Sequence, residues 1–461
     1  MQESVNIRQI VMDMLLEVTK QQEYSHVVIR QVQNKYNYLP SNEKAFMKRL
    51  FEGTLERMIE LDYCINCYSK VKVNKMKPVI RTIMRMGAYQ ILYMDAVPDS
   101  AACNESVKLA QKKGFTNLKG FVNGVLRTIA RNKEDIPYPS PEKNYNEYLS
   151  IKYSMPEWIV NLWIKQLGRE KTRTVLEGLL KEHPVIIRFR TDDTSKIEAV
   201  RTELEKNGGS MSRHPYLDYA YLIEKTDDLT RLPGYDDGTF VIQDVSSMLA
   251  VEALGLKNTK KDNTKELSIL DVCAAPGGKS MLTADLLKKY KIAGKIISRD
   301  VSENKVMLMQ DNFSRCRLDN VTAQVWDATQ IDESLIESAD IVIADVPCSG
   351  LGVIGKKRDI KYRMNPESIE SIIALQEQIL RIAVSYVKKG GILLFSTCTI
   401  NSAENEEHAK WLQKELGMTP VSLNNALPEK LHNDSNGEGY IQLLPGIHET
   451  DGFFISVFQK K

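Results

Sequence analysis

The residues Ser268-Ile269-Leu270-Asp271-Val272-Cys273-Ala274-Ala275-Pro276-Gly277-Gly278-Lys279-Ser280 decide the fold. An apolar run closes on an acidic residue, the pattern of a short strand about to stop. Small residues, a proline and two glycines follow. After Lys279, Met281, Leu282, Leu286 and Leu287 recur at helical spacing. Strand, tight turn and helix open a doubly wound α/β domain, whose ligands sit beyond the carboxyl ends of the strands. Small residues let a ligand approach the backbone, and the helix start offers free N–H groups. The turn is neither GxGxxG nor GxxxxGK[ST], which disfavours a dinucleotide loop and a phosphate-cradling loop. An ordinary strand-to-helix turn fits the same residues, so the neighbouring chain must decide.

Downstream, strands are expected at 267–272, Lys295–Ser298, Val321–Trp326, Ile341–Asp345 and Ile392–Ser396, with helices between them. A last strand falls in Phe453–Phe458. Such alternation predicts a mostly parallel sheet covered by helices on both faces. Upstream, residues 145–235 read as a small α+β module. It has a helix over Glu157–Leu167, a strand over Val185–Arg190 and a helix over Ser195–Asn207. Trp158 and Trp163 read as core. Residues 1–135 read as all helical. Ile7, Ile10, Val11, Met14, Leu15 and Val18 make one apolar stripe, and Ile80, Ile83, Met84, Ala88 and Ile91 another. Asp99 or Ser100 is expected to cap a helix that Gly114 ends, and a further helix spans Lys119–Asn132. Pro137, Pro139 and Pro141 mark a linker. The expected domains are therefore 1–140, 141–236 and 237–461.

Bulk properties agree with a multidomain globular chain of 461 residues. No apolar run reaches membrane-spanning length, and Met1–Ile10 lacks a signal-peptide pattern. Seven scattered cysteines indicate reduced thiols and a cytoplasmic setting. The net charge of +2 is unevenly placed, since residues 1–150 carry 22 Lys and Arg against 16 Asp and Glu. Two windows hold bases and no acid. One has Lys70, Lys72, Lys75, Lys77, Arg81 and Arg85; the other has Lys108, Lys112, Lys113, Lys119, Arg127, Arg131 and Lys133. They suit a phosphate backbone, and equally a solvated helical face.

Four carboxylates fall at or just past expected strand ends: Asp271, Asp300, Asp327 and Asp345. Any one of them could be a helix N-cap; four in succession at one sheet edge point to a ligand crevice. Asp300 lies 22 residues after Gly278, where an acidic residue accepts from a nucleoside ribose. Asp327 is placed to meet an adenine amino group. Two cysteines share this edge, Cys348 in Asp345-Val346-Pro347-Cys348-Ser349-Gly350 and Cys398 in Phe395-Ser396-Thr397-Cys398-Thr399. With no His nearby and no CxxC beside them, a metal site is disfavoured and a thiolate nucleophile remains. A nucleoside cofactor with thiols suits methylation at pyrimidine C5, where thiolate addition at C6 makes C5 nucleophilic.

Asp271–Ser280, Asp345–Gly352 and Ser396–Thr399 resemble motifs I, IV and VI of the RNA cytosine-C5 methyltransferases. Arg85–Gln90, Gly120–Arg127, Gln243–Ser247 and Asp451–Phe454 resemble further segments of the RsmB/Sun subfamily, including its NusB-like RNA-binding domain. The resemblance implies an all-α NusB-like domain, a small α+β module and a Rossmann-like methyltransferase domain. It implies S-adenosyl-L-methionine held by Cys273, Ala274, Ala275, Pro276, Gly277, Gly278 and Lys279 with Asp300, Asp327 and Asp345. Cys398 would be the nucleophile, Cys348 would assist product release, and Asp345 would stand beside them. The implied substrate is 16S ribosomal RNA before full subunit assembly, at a cytosine of the cytosine-967 type. Lys108, Lys112, Lys113, Lys119, Arg127 and Arg131 would meet RNA; no metal and no membrane are implied. Arg358 stands where the family has Pro, and Thr399 where it has Ser. A non-catalytic RNA-binding or antitermination-like protein would keep the fold without needing both thiols, and a dinucleotide oxidoreductase would need the missing GxGxxG.

Cys64 and Cys67 form a lone CxxC, expected on one helix face. Cys103, Cys273 and Cys316 read as packing residues. Lys279 is expected either to favour an anion at the helix start or to be solvated.

Overall fold

The computed structural model describes residues 5–182, 184–225, 228–258 and 266–461. Residues 1–4, part of the stretch read for a leader, lie outside these. The chain forms two compact units.

The first unit comprises Met1–Leu180 together with Ile354–Arg363. It is helical: α1 (Ile7–Lys20), α2 (Ser25–Lys35), α3 (Ser41–Glu56), α4 (Met58–Tyr68), α5 (Pro78–Tyr93), α6 (Asp99–Lys112), α7 (Lys119–Arg131), α8 (Tyr145–Lys152), α9 (Glu157–Leu167) and α10 (Arg169–Leu179). The two stripes read in the sequence meet in one core, where Val11, Leu15, Leu50, Ile83 and Met84 pack with Val122, Leu126 and Ile129. Gly87 permits the crossing of α5 with α6 and α7, since a methyl there would lie 2.7 Å from Leu126 and 2.8 Å from Ser106.

Three expectations change. Asp99 and Ser100 do not cap α6; Pro98 occupies the N-cap, and Asp99 instead pairs with Lys133 at 3.1 Å. The proline-rich stretch is not a boundary, because Tyr138 donates to the buried Glu60 at 2.6 Å. Nor do α8–α10 belong with the small sheet. The amide of Ile59 donates to Ser154 Oγ at 2.9 Å, and Arg57 donates to Lys152 O at 3.4 Å, so these helices fold into the first unit. Trp163 is fully buried and Trp158 half-buried.

Ile354–Arg363 ends in a short helix, α15 (Ile360–Arg363), and is anchored by polar groups. Asp359 accepts from Ser25, the Lys361 ammonium donates to Glu56 O and Ser154 O at 2.7 and 2.6 Å, and Tyr362 donates to Leu55 O. Arg358, the departure at the family's proline, ion-pairs with Glu56 at 3.0 Å and Glu52 at 3.4 Å. Its loop is therefore fixed by charge where a proline would fix it by its ring.

The second unit comprises Lys181–Val353 and Met364–Lys461. It opens with a four-stranded antiparallel sheet in the order β2-β3-β1-β4, from β1 (Val185–Phe189), β2 (Ser210–Arg213), β3 (Ala220–Glu224) and β4 (Phe240–Ile242), with α11 (Thr194–Lys206) against it. After α12 (Val245–Glu252) comes the main sheet. Its strands are β5 (Leu267–Asp271), β6 (Gly294–Asp300), β7 (Val321–Val325), β8 (Ala339–Asp345), β9 (Val387–Thr397), β10 (Thr419–Pro420), β11 (Tyr440–Leu443) and β12 (Phe453–Gln459). The helices around it are α13 (Gly278–Tyr290), α14 (Glu303–Arg315), α16 (Pro366–Tyr386), α17 (Glu406–Leu416) and the short α18 (Asp434–Gly437).

The strand order is β10-β12-β9-β8-β5-β6-β7, with β11 on β12. Strands β5 to β9 run parallel, and β12 runs antiparallel to β9. The chain winds outward from β5 through β6 and β7, then returns to the other side through β8 and β9. The switch point lies between β5 and β8, where such sheets open a crevice. The sequence located all five parallel strands; it missed the short antiparallel strands β10 and β11, which lack an alternating run of their own.

Candidate active site

The motif I turn is strapped between neighbouring strands. The Val272 amide donates to Ile343 O at 3.0 Å, and the Ala274 amide to Arg299 O at 2.8 Å. Gly277 sits at φ 98° against the Phe313 ring, where a side chain would be strained. Gln243 Nε2 donates to Gly278 O at 3.1 Å, and Gln243 Oε1 accepts from the buried Arg188 at 2.9 Å. Arg188 and Arg190 both pair with Asp285 of α13. The small sheet thus braces the helix that follows motif I, which gives the Gln243–Ser247 segment a physical role.

The four strand-end carboxylates divide. None is the N-cap of an α-helix: Gly277 caps α13 and Ser302 caps α14. Asp271 is fully buried, accepts from Ser280 Oγ at 2.8 Å, and leaves Oδ1 without a partner. Burial pushes its carboxyl up to about 7. It is part of the sheet core and not of an open crevice wall. Asp300, 7% exposed, accepts from the Ser302 amide at 3.2 Å. Asp327 is exposed and accepts from the Thr329 amide at 2.9 Å and hydroxyl at 2.7 Å, which hold its carboxyl below its ordinary range. Small backbone at Ala274–Gly278 and carboxylates past β6 and β7 fit a nucleoside-bearing ligand.

Asp345, at the end of β8, accepts from Ser396 Oγ at 2.7 Å and from Lys279 Nζ at 2.6 Å. Lys279 is not solvated; the anionic group it meets at the start of α13 is the chain's own Asp345 carboxylate. The Lys279 side chain is 8% exposed and lies 5.1 Å over the Phe453 ring. Sequence reasoning missed this pair because the partners are far apart in the chain.

Past these strand ends the two thiols meet. Cys348 Sγ and Cys398 Sγ are 3.2 Å apart, within sulfur hydrogen-bond range, and neither is in a disulfide. The hydrogen bond to Cys398, burial and the charge of Glu404 hold Cys348 well above the usual thiol value. Their loops interlock. The Gly352 amide donates to Cys398 O at 3.1 Å, and the Gly452 amide donates to Gly352 O at 2.9 Å. Beneath them Glu404, fully buried, accepts from the Ser349 amide at 2.8 Å and from Ser349 Oγ at 2.5 Å. The sequence reading passed over Glu404; its only signal was a carboxylate shortly after Cys398.

The other cysteines are packed or remote. Cys103 and Cys316 are buried, and burial raises the half-buried Cys273 thiol. Cys64 is buried in α4, its thiol pushed up to about 12, while Cys67 on the same helix is exposed. Among the described residues no group of three His, Cys, Asp or Glu could hold a metal ion, and no helix is long and apolar enough to cross a membrane.

Of the six expected RNA contacts, Lys108 pairs with Glu105 at 2.8 Å and Lys113 with Asp13 at 3.1 Å. Lys112, Lys119, Arg127 and Arg131 are exposed and have no acidic partner among the described residues; the last three follow one another along α7 at intervals of eight and four residues. In the other basic window Arg85 is buried and bound twice to Asp62, which removes it from the surface.

A family model of 16S rRNA methyltransferase RsmB/F matches residues 256–459, and the NusB family model matches residues 5–131. A Bacillus subtilis protein named probable ribosomal RNA small subunit methyltransferase B is 34% identical over 464 residues, covering 99% of both chains. This chain belongs to the RsmB/F family of rRNA methyltransferases. A Synechocystis relative of the same name is 29% identical, covering 99% of this chain and 100% of that one. The crystal structure of PH0851 shares the RsmB/F fold with a TM-score of 0.76, at 24% identity over 99% of each chain. That of a methyltransferase homologue from Pyrococcus horikoshii, 25% identical, covers 70% of this chain and all of its own with a TM-score of 0.55. The expected fold classes, a NusB-like helical domain and a Rossmann-like methyltransferase fold with a small sheet between, are those observed.

Proposed function

We propose that this rRNA methyltransferase acts on C5 of one cytosine in 16S ribosomal RNA, of the cytosine-967 type, before the subunit is fully assembled. The observation that carries the reading is the pair of thiols 3.2 Å apart beside Asp345, at the carboxyl edge of β8 and β9. A non-catalytic binder would have no use for that contact. Seven cysteines outside any disulfide suit a reducing cytoplasm.

The methyl donor is S-adenosyl-L-methionine, which supplies an electrophilic methyl group when bound. Residues 273–279 would lie along it, with Asp300 accepting from the ribose hydroxyls and Asp327 near the adenine. The target base leaves its stack to enter the site. The Asp345 carboxylate, anchored by Lys279 and Ser396, retains lone pairs for the cytosine amino group. The Cys398 thiolate adds to C6, and the C5–C6 electrons become available for the new bond at C5. Cys348, held as a thiol, donates to the Cys398 sulfur and stabilises its anion. After methyl transfer, the C5 proton passes to water, its C–H electron pair re-forms the C5–C6 double bond, and the Cys398 sulfur leaves as the thiolate, to which the Cys348 thiol donates. Cys348 assists this release. The exposed bases Lys112, Lys119, Arg127 and Arg131 would neutralise RNA phosphates.

The two thiols should fail differently. Cys398→Ala should abolish methylation and give no covalent adduct. Cys348→Ala should still attack but release slowly, so a protein–RNA band should accumulate in a denaturing gel. A band with Cys398→Ala and none with Cys348→Ala would reverse the roles. Full activity in both variants would end the thiol mechanism for this protein.

A further inference from the structure

Glu404 is an unusual residue to find under two reactive thiols. It is fully buried, and among the described residues no Lys or Arg lies within ion-pair distance of it. Burying a carboxyl without a cation is costly unless hydrogen bonds replace its water. Here donors converge on both oxygens. Oε2 accepts from the Ser349 amide at 2.8 Å and from Gln376 Nε2 at 3.2 Å. Oε1 accepts from Ser349 Oγ at 2.5 Å and from Asn401 Nδ2 at 3.1 Å, with Thr399 Oγ1 at 3.5 Å. Ser349 Oγ also lies 2.7 Å from Thr399 Oγ1. Gln376 of α16 donates to Pro347 O at 2.9 Å as well.

The partners have a pattern. Pro347 and Ser349 flank Cys348; Thr399 follows Cys398, and Asn401 is in the same turn. One carboxyl therefore holds Ser349 after one thiol and the turn after the other, and Gln376, bonded to the same carboxyl, holds Pro347 before the first thiol. Gln376, Thr399, Ser349 and Asn401 are all at most 2% exposed, so the network is dry and leaves little room for a loop to drift.

We propose that Glu404 is a positioning residue that sets the Cys348–Cys398 separation, and thereby the balance between attack and release. This rests on the two-thiol reading above. Glu404 touches neither sulfur in any hydrogen bond and acts through Ser349 and Thr399. A glutamine in its place keeps the shape but turns one acceptor into a donor. With the amide nitrogen at the Oε2 position it opposes both the Ser349 amide and Gln376 Nε2; at the Oε1 position it opposes Asn401 Nδ2. Either way the loops lose a common anchor, and displacement of reacting groups by about an ångström costs up to about a hundredfold in rate.

The test compares wild type, Glu404→Gln, Ser349→Ala and Cys398→Ala in one experiment with 16S RNA fragment and radiolabelled S-adenosyl-L-methionine. Adduct and released product are counted from the same denaturing gel. For Glu404→Gln we expect kcat to fall at least about tenfold with KM for RNA within twofold, and the adduct-to-product ratio to rise. Ser349→Ala, which keeps the backbone amide and removes only the hydroxyl, should move the ratio in the same direction by less. It decides the matter if Glu404→Gln does not fold. A purely structural residue would lower adduct and product together and leave their ratio at the wild-type value; that result overturns the proposal. If Cys398→Ala methylates like wild type, the thiol reading itself has failed. If Cys398→Ala is dead while the ratio is unmoved in the other variants, only the role of Glu404 falls.

Discussion

Gly352→Ala should cripple methyl transfer while sparing cofactor binding. A methyl group at Gly352 would lie 2.0 Å from Gly452 O, 2.6 Å from the Gly452 carbonyl carbon and 2.9 Å from Cys398 O. Ordinary contact begins at 3.4 Å, and every obstructing atom is backbone, so no side chain can rotate away. The loop carrying Gly352 and Cys348 must part from the Gly452 and Cys398 backbone by roughly 1 Å or more, on ordinary packing distances. Two backbone hydrogen bonds are then broken, Gly352 to Cys398 O and Gly452 to Gly352 O. At about 0.5–1.5 kcal/mol each, their loss destabilises the unit by roughly 1–3 kcal/mol. The effect on chemistry is larger, since misplacement of this size costs up to about a hundredfold in rate. The assay is single-turnover transfer of labelled methyl to RNA, with calorimetric binding of S-adenosyl-L-methionine alongside. Binding should be within twofold of wild type, because the motif I turn is strapped to β6 and β8 independently of Gly352. Gly437→Ala, whose methyl would meet nothing within 4 Å, is the control. Activity within twofold of wild type in Gly352→Ala would refute the claim that this close approach sets the thiol geometry.

Three further outcomes follow from individual residues. Asp300→Ala should weaken S-adenosyl-L-methionine binding by at least about tenfold, since hydrogen bonds to a charged group contribute about 1.5–3 kcal/mol each; unchanged affinity by calorimetry removes Asp300 from the site. Replacing Lys112, Lys119, Arg127 and Arg131 with Ala should weaken RNA binding and flatten its salt dependence by roughly 0.7–0.9 for each phosphate that they neutralise, whereas an unchanged slope makes them a solvated face. Asp271 has its carboxyl raised to about 7 by burial, so between about pH 4 and 7 the folded state keeps a proton that the unfolded chain has released. Its contribution to stability is therefore fully present below about pH 4 and is lost as pH rises towards 7. Denaturant unfolding of Asp271→Asn should show a flatter pH dependence across that window, and an unaltered slope would contradict the assignment.

Much of the protein was legible in the chain because its signals are local. An apolar run stopping at Asp271, then Gly277-Gly278 and a helical stripe, define a strand, turn and helix whatever surrounds them. Strand β8 is buried and bears a continuous apolar run, while β7 was found from its β-branched residues although most of it is exposed. The helical stripes of residues 1–135 were equally plain, and the small residues at motif I follow from a backbone requirement, φ 98° at Gly277. Cys348 and Cys398 stood out because each follows a strand and sits among small polar residues.

What the chain alone left open depends on neighbours distant in sequence. The proline-rich stretch near 140 carries every mark of a linker, yet Tyr138 bonds Glu60 and α8–α10 join the first unit. Composition reports flexibility in isolation and says nothing of a partner 78 residues away. Lys279 offered two readings, an anion or solvent, and that the anion is Asp345 could not be read because it requires β5 and β8 to be adjacent. The four strand-end carboxylates share one pattern in the chain, and only packing shows that Asp271 is buried and Asp327 exposed. The sequence determined which residue types stand at the sheet edge; only the tertiary structure decided which of them meet. Meeting is a matter of strand order and register, and these are settled by burying many side chains at once rather than by any short stretch of the chain.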